Sequence, residues 1–176
     1  MRHIEAGLRR DPPAPVTSPA DAAAFRDAMS KLAGGVSIVA CWDGDTPKGL
    51  LISSLIALST EPPRVLFCVR KEASSHAAMA MASTCSITIL SEDDQQEAER
   101  FSATSRTSER FSAAKWNLST DAPPTYRNAL VTLSGDISQR HDTGTHTVVI
   151  LTVTKSVRRS AAPLVYYDRA FRGLRD

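Results

Sequence analysis

The sequence predicts a mainly β domain with peripheral helices, organised as an antiparallel barrel that is closed or nearly closed. Three observations carry that expectation. Six or more short runs rich in Val, Ile, Leu, Thr and aromatic residues are bounded by Gly, Pro, Asp and Ser. Asp43-Gly44-Asp45 and Asp142-Thr143-Gly144 separate pairs of such runs, as hairpin turns do. Helical spacing is confined to a few short segments.

The elements follow in order. Residues 1–17, "MRHIEAGLRRDPPAPVT", are rich in Arg and Pro and read as a mobile leader before a single domain over residues 18–176. The clearest helix is "TSPADAAAFRDAMSKLAGG". Ser18 suits the N-cap, Pro19 the first turn and Asp21 the capping-box position. Ala22, Phe25, Met29 and Leu32 share one face, expected to pack in the core, and Gly34-Gly35 are expected to stop the helix. "GVSIVACW" and "GLLISSLIAL" read as a strand pair, the second ended by Pro62-Pro63. "RVLFCV" reads as a strand buried on both faces, and "ASSHAAMAMAS" as a helix capped by Ser74 or Ser75. "CSITIL" is a strand. "SEDDQQEAERFS" is a helix capped by Ser91, with acids in its first turn and Arg100 in its last. "DAPPTYRN" is loop. "ALVTLSGDISQRH" and "THTVVILTVTKSV" are the longest strands, and "PLVYYD" is a last short one.

Composition excludes several classes. A net charge of +2 on 176 residues gives no nucleic-acid-binding surface. Arg158-Arg159 with Lys155 is the densest basic cluster of the second half and reads as solvated loop before docking patch. No apolar run reaches the ~18 residues of a membrane helix, and the start lacks a secretory apolar core, so the cytoplasm is the expected compartment. Cys41, Cys68 and Cys85 are odd in number and form no CxxC, which suits free, buried thiols. No G-x-S-x-G, phosphate-loop or zinc spacing occurs. His141 and His146 straddle a turn, but no further ligand pair supports a metal site.

What remains is rich in hydroxyls. Ser53-Ser54 interrupt an apolar strand, and Ser74-Ser75 precede a helix beside Arg70-Lys71. The latter set could cradle a phosphate, though serine caps and an Arg-Lys loop account for it equally simply. Trp116 and Phe111 read as packing residues. Tyr166 and Tyr167 should alternate, one to the core and one to a site or interface.

Taken in order, these segments resemble the flavin reductase-like family with an FMN-binding split barrel, from about Phe25 to Phe171. "FRDAMSKLAGGVSIVA" is similar to its opening helix and strand. "GLLISSLIALSTEPPRVLFCV" is similar to its signature, with Gly49, Ser53-Ser54, Ser59, Glu61 and two prolines. "SITILSEDDQQEAERFS", "ERFSAAKW", "GTHTVVILTV" and "PLVYYDRAF" are similar to later blocks. The resemblance implies a Greek-key-like antiparallel split β-barrel, a homodimer, and hydride transfer from NADH or NADPH to FMN or FAD. Diffusible reduced flavin would serve a partner monooxygenase. A flavin- or haem-binding carrier or sensor, and a flavin-dependent reductase of another acceptor such as a corrinoid, are the alternatives. Carried over residue by residue, Leu51, Ile52, Ser53 and Ser54 would line the flavin ring and ribityl chain. Arg70, Lys71, Ser74 and Ser75 would face the phosphate. Thr88 would lie beside the flavin, His146 near the nicotinamide and Tyr166 at the ring's outer face. Four positions depart from the family pattern: Leu51 for a usual Thr, Thr88 for Asn, Thr145 for Asp and Ala170 for Gly. Hydride transfer itself needs no acid or base, since the flavin carries the redox chemistry.

Overall fold

A computed structural model of the chain describes residues 20–174, with the side chains of residues 104–106 not described. The expected leader, with Ser18 and Pro19, lies outside those residues. The first helix, α1 (Ala22–Ser30), is capped by Asp21, whose carboxylate accepts the Ala24 amide at 2.9 Å. Asp21 is therefore the N-cap, not the capping-box partner. The strands are β1 (Gly34–Gly35), β2 (Ser37–Asp43), β3 (Thr46–Ile52), β4 (Ile56–Thr60), β5 (Pro63–Arg70), β6 (Thr84–Ile89), β7 (Trp116–Asn117), β8 (Thr125–Tyr126), β9 (Val131–Asp142), β10 (His146–Arg158), β11 (Leu164–Tyr167) and β12 (Ala170–Gly173). Helix α2 (His76–Met81) follows β5, and α3 (Gln95–Ser102) follows β6 through a 3-10 turn at Glu92–Asp94. A longer 3-10 segment spans Thr104–Glu109.

Seven strands form one antiparallel sheet in the order β3-β2-β6-β9-β10-β5-β4. β1, β11 and β12 make a second sheet, and β7 pairs with β8. No sheet among the described residues closes on itself. The large one is nonetheless strongly curled. Its edge strands β3 and β4 are consecutive in the chain, joined only by Ser53, Ser54 and Leu55. Six strand spacings laid flat would separate those edges by about 29 Å, whereas four extended residue steps reach roughly 14 Å. Ser54 helps close the gap: its Oγ accepts the Cys68 amide of β5 at 3.0 Å. The expected single strand "GLLISSLIAL" is thus two strands on opposite edges, and the double serine is the corner between them. At the bulge between Val153 and Lys155, β10 passes so close to Gly135 that a Cβ there would lie 1.9 Å from the Thr152 carbonyl oxygen.

Alternation along the sheet divides the core in two. Val39, Phe67, Val69, Ile87, Val149 and Leu151 fill the concave side with Met79 of α2. Val36, Ile38, Ala40 and Leu90 pack on the other face against Ala98 and Phe101 of α3, with Trp116 and Leu164. Trp116 and Phe111 join an aromatic cluster with Phe101, at centroid separations of 4.8–5.4 Å, as their packing role predicts. Burial on β5 is one-sided, since Leu66 and Cys68 are only half-buried. Cys41 and Cys85 are buried free thiols; Cys68 is half-buried and also free.

Two buried carboxylates anchor the second core. Glu97 receives Trp116 Nε1 at 3.1 Å and Lys115 Nζ at 3.3 Å, and pairs with Arg100. Asp94 receives Tyr126 Oη at 3.0 Å and Asn128 Nδ2 at 3.1 Å, and closes a capping box with Ser91. Arg159 is part of this scaffold, not a solvated residue: it donates to the Asn128 and Ala129 carbonyls and to Ser91 Oγ.

Helix α1 departs from expectation. Its apolar face is not core: Phe25 is 59% exposed, Met29 45% and Leu32 65%. Gly34-Gly35 do not end it, since Lys31 is its C-cap and the glycines pair with Val165 and Tyr166.

Candidate functional site

The site grows from the outer face of β3. Leu51 lies opposite Ile38, so it turns toward the α3 side of the sheet, while Ile52 turns into the concave core and is 6% exposed. Leu51 and Ser102, at the end of α3, wall two adjoining cavities of about 340 and 690 Å³. Together these form a groove. One end is largely apolar, with Leu51, Tyr166 and Phe171 beside Ser53 and Arg169. Tyr166 and Phe171 meet edge-on at 5.4 Å. The other end is polar and carries Arg70, Ser74, Ser75 and Arg110.

Arg110 is the most unusual residue there. It is 7% exposed, and no carboxylate among the described residues pairs with it. Nη1 donates to the Gly49 carbonyl and Nη2 to the Ala103 carbonyl, each at 3.0 Å, while Nε has no hydrogen-bond partner. Desolvation pushes its pKa down. A buried cation without a counter-charge is costly, and an anion in the adjoining groove relieves that cost. Nothing in "TSERFSAA" marks this arginine. Its burial arises only when the segment after α3 folds back onto Gly49.

The expected site residues separate into three groups. Leu51, Ser53 and Tyr166 meet at the apolar end, and Arg70 and Ser74 at the polar end. His146 lies in an adjoining cavity of about 440 Å³ that shares Arg70 and Glu72 with the groove. Its Nδ1 is 2.9 Å from Thr145 Oγ1, so the departure at Thr145 still gives the ring a partner.

Other residues are placed differently from their expected roles. Ser54 is engaged at the sheet corner. Ser75 Oγ donates to the Gly49 carbonyl at 2.7 Å and makes no cap bond, and α2 has only 6 residues. Lys71 is drawn to the β9–β10 hairpin by Asp142 at 2.6 Å, away from the polar end. That bond and the Gly144 amide hold Asp142 below the usual carboxylate range. Thr88 is fully buried in β6 and lines none of these cavities; its Oγ1 has no partner. Tyr166 and Tyr167 do not divide between core and surface, at 38% and 40% exposed, because β11 belongs to a narrow sheet that covers neither face fully.

Such a groove suits a flat, amphiphilic molecule with an anionic tail. Its walls supply apolar contact at one end, and cations with hydroxyls at the other. Comparison with known proteins agrees with that chemistry. Residues 29–175 match the flavin reductase like domain, and the chain belongs to that family. It is 32% identical over 157 residues to FMN reductase (NADH) RutF 1 of Methylorubrum extorquens, covering 89% of this chain and 78% of the relative. It is 31% identical over 151 residues to HsaB, the reductase subunit of a flavin-dependent monooxygenase of Rhodococcus jostii, covering 85% and 76% of the two chains. The NADH:FAD oxidoreductase SgcE6 of Streptomyces globisporus, solved with NAD and FAD fragments, superposes with a TM-score of 0.79 at 25% identity, over 90% of this chain and 96% of that one.

Proposed function

We propose that this protein is an NAD(P)H:flavin oxidoreductase that reduces FMN or FAD and passes the reduced flavin to a partner monooxygenase. One observation carries the reading: a single groove joins an apolar, aromatic-lined end to a buried guanidinium lacking a counter-charge. A flavin nucleotide matches both ends, its ring the apolar one and its phosphate the cationic one, so the residues fit the cofactor. Bound flavin supplies the hydride acceptor. In this reading Leu51, Ser53 and Tyr166 flank the ring, and Arg110, Arg70 and Ser74 hold the phosphate. Ile52 offers main chain only. His146, braced by Thr145, orients the nicotinamide from the neighbouring cavity and excludes water there. None of these residues need move a proton for hydride transfer. Leu51 replaces a hydroxyl with apolar contact, so ring binding leans on packing.

The curled sheet supports a split barrel whose opening lies between edge strands β3 and β4, bridged at the Ser53-Ser54 corner. The uncovered Phe25, Met29 and Leu32 border a cavity of about 930 Å³ that also meets Ser53, Tyr166 and Arg169. A second copy of the chain covering this face would make a homodimer with the flavin near its interface; sedimentation of the purified protein tests that. No helix among the described residues is long and apolar enough to cross a membrane, and the three thiols are free, which suits the cytoplasm.

The test is steady-state oxidation of NADH and NADPH, followed at the nicotinamide absorbance band, with excess FMN, FAD or riboflavin. Flavin-dependent oxidation is expected. Its absence with every pairing, in a protein that binds flavin, would leave the carrier reading instead.

A further inference from the structure

The polar end of the groove does not stop at the phosphate position. Ser74, Ser75, Thr107 and Arg110 wall the 690 Å³ cavity and also a second one of about 330 Å³ on its far side. That second cavity runs along the start of β3. It adds Lys48, which is half-buried and makes no ion pair among the described residues, and the hydroxyl of Ser108. Its size falls in the usual range for small-molecule sites. A site serving FMN alone needs nothing there. Arg110 and Lys48 both line this second cavity, and two cations suit two linked phosphates better than one.

We infer that the cavity beside Lys48 receives the adenylate half of FAD, making FAD the preferred flavin of this protein. The inference rests on the reductase reading, since it assumes that the flavin phosphate lies at Arg110. The ring and ribityl chain are common to both flavins, so discrimination comes from the far cavity. A charge-assisted hydrogen bond to the second phosphate corresponds to roughly a tenfold gain in affinity.

Equilibrium titration of flavin fluorescence tests this without turnover. The wild-type protein should bind FAD roughly tenfold more tightly than FMN. Lys48→Ala should weaken FAD about tenfold more than it weakens FMN. Ser108→Trp, which fills the cavity from its exposed rim, should do the same. Added 5′-AMP should compete with FAD and leave FMN affinity unaltered. Equal affinity for the two flavins in the wild type, or equal losses in both variants, would overturn the inference. So would 5′-AMP competing with NADH in turnover and not with FAD in binding, since the cavity would then hold the dinucleotide. If flavins bind with the expected preference but no pairing oxidises NADH, the reductase reading fails while the adenylate site stands.

Discussion

Arg110→Met separates the scaffold role of this arginine from its role as counter-charge. The guanidinium donates two hydrogen bonds to main-chain carbonyls, each at 3.0 Å. Losing charged donors costs about 1.5–3 kcal/mol apiece. Two features offset that loss. The Gly49 carbonyl keeps its bond from Ser75 Oγ at 2.7 Å, so it is not left bare. Removing an uncompensated cation also removes its desolvation penalty, which is several kcal/mol. The net change in stability of the flavin-free protein is therefore small, at most about 2 kcal/mol. Flavin binding should respond quite differently. The phosphate loses a charge-assisted bond of about 1.5–3 kcal/mol, which weakens FMN roughly 10- to 150-fold. Riboflavin, which has no phosphate, should lose little. Parallel fluorescence titrations with FMN and riboflavin, with urea unfolding of the free variant, measure all three quantities. If the two flavins weaken by the same factor, Arg110 only fastens the segment after α3 to β3, and the phosphate lies elsewhere.

Other expectations follow from the same geometry. His146→Ala should raise the KM for NADH roughly fivefold, the worth of one hydrogen bond, with flavin affinity unchanged; a selective loss of flavin binding would move His146 to the other substrate. Glu97→Ala strands Arg100 and the Trp116 indole N–H in the second core. Urea unfolding should show a loss of about 2–4 kcal/mol, tempered because Lys115 stays 42% exposed, and a loss below 1 kcal/mol would refute the pairing. Burial pushes the Cys41 thiol up to about 11 from its ordinary value of 9.0. A group with a raised folded-state pKa contributes stability in full below its unfolded pKa and loses it as pH rises through the folded value. Stability should therefore fall between about pH 9 and 11, and Cys41→Ala should lessen that slope of the urea midpoint profile, the buried Cys85 thiol supplying the rest. An identical alkaline slope in the variant would exclude this thiol as its source.

Much of the architecture was legible because strand signals are local. The turns at Asp43-Gly44-Asp45 and Asp142-Thr143-Gly144, the cap at Ser91, and the alternation in β2 and β10 are set by neighbouring residues. The misreadings share a cause. Helix α1 has an apolar stripe, and periodicity cannot tell a core face from one left uncovered in a single chain. Ser53-Ser54 interrupt an apolar run, and no local rule says that the flanking halves go to opposite sheet edges. Resemblance sets Thr88 beside the flavin, and no local rule says that its side chain, on a strand between β2 and β9, is fully buried.

By itself the sequence determined the class of the molecule: a mainly β chain with free thiols and no hydrolytic motif, whose ordered blocks mark a flavin reductase. Periodicity, turn chemistry and composition are properties of short windows, and they survive without knowledge of the fold. Tertiary structure alone decided which polar groups are available to a ligand. Ser54 and Ser75 are consumed by the Cys68 amide and the Gly49 carbonyl, and Lys71 by Asp142. Arg110, unremarkable in sequence, is left buried with its charge unmatched. Hydrogen bonding is satisfied between residues far apart in the chain, so only the folded arrangement shows which donors remain for the cofactor.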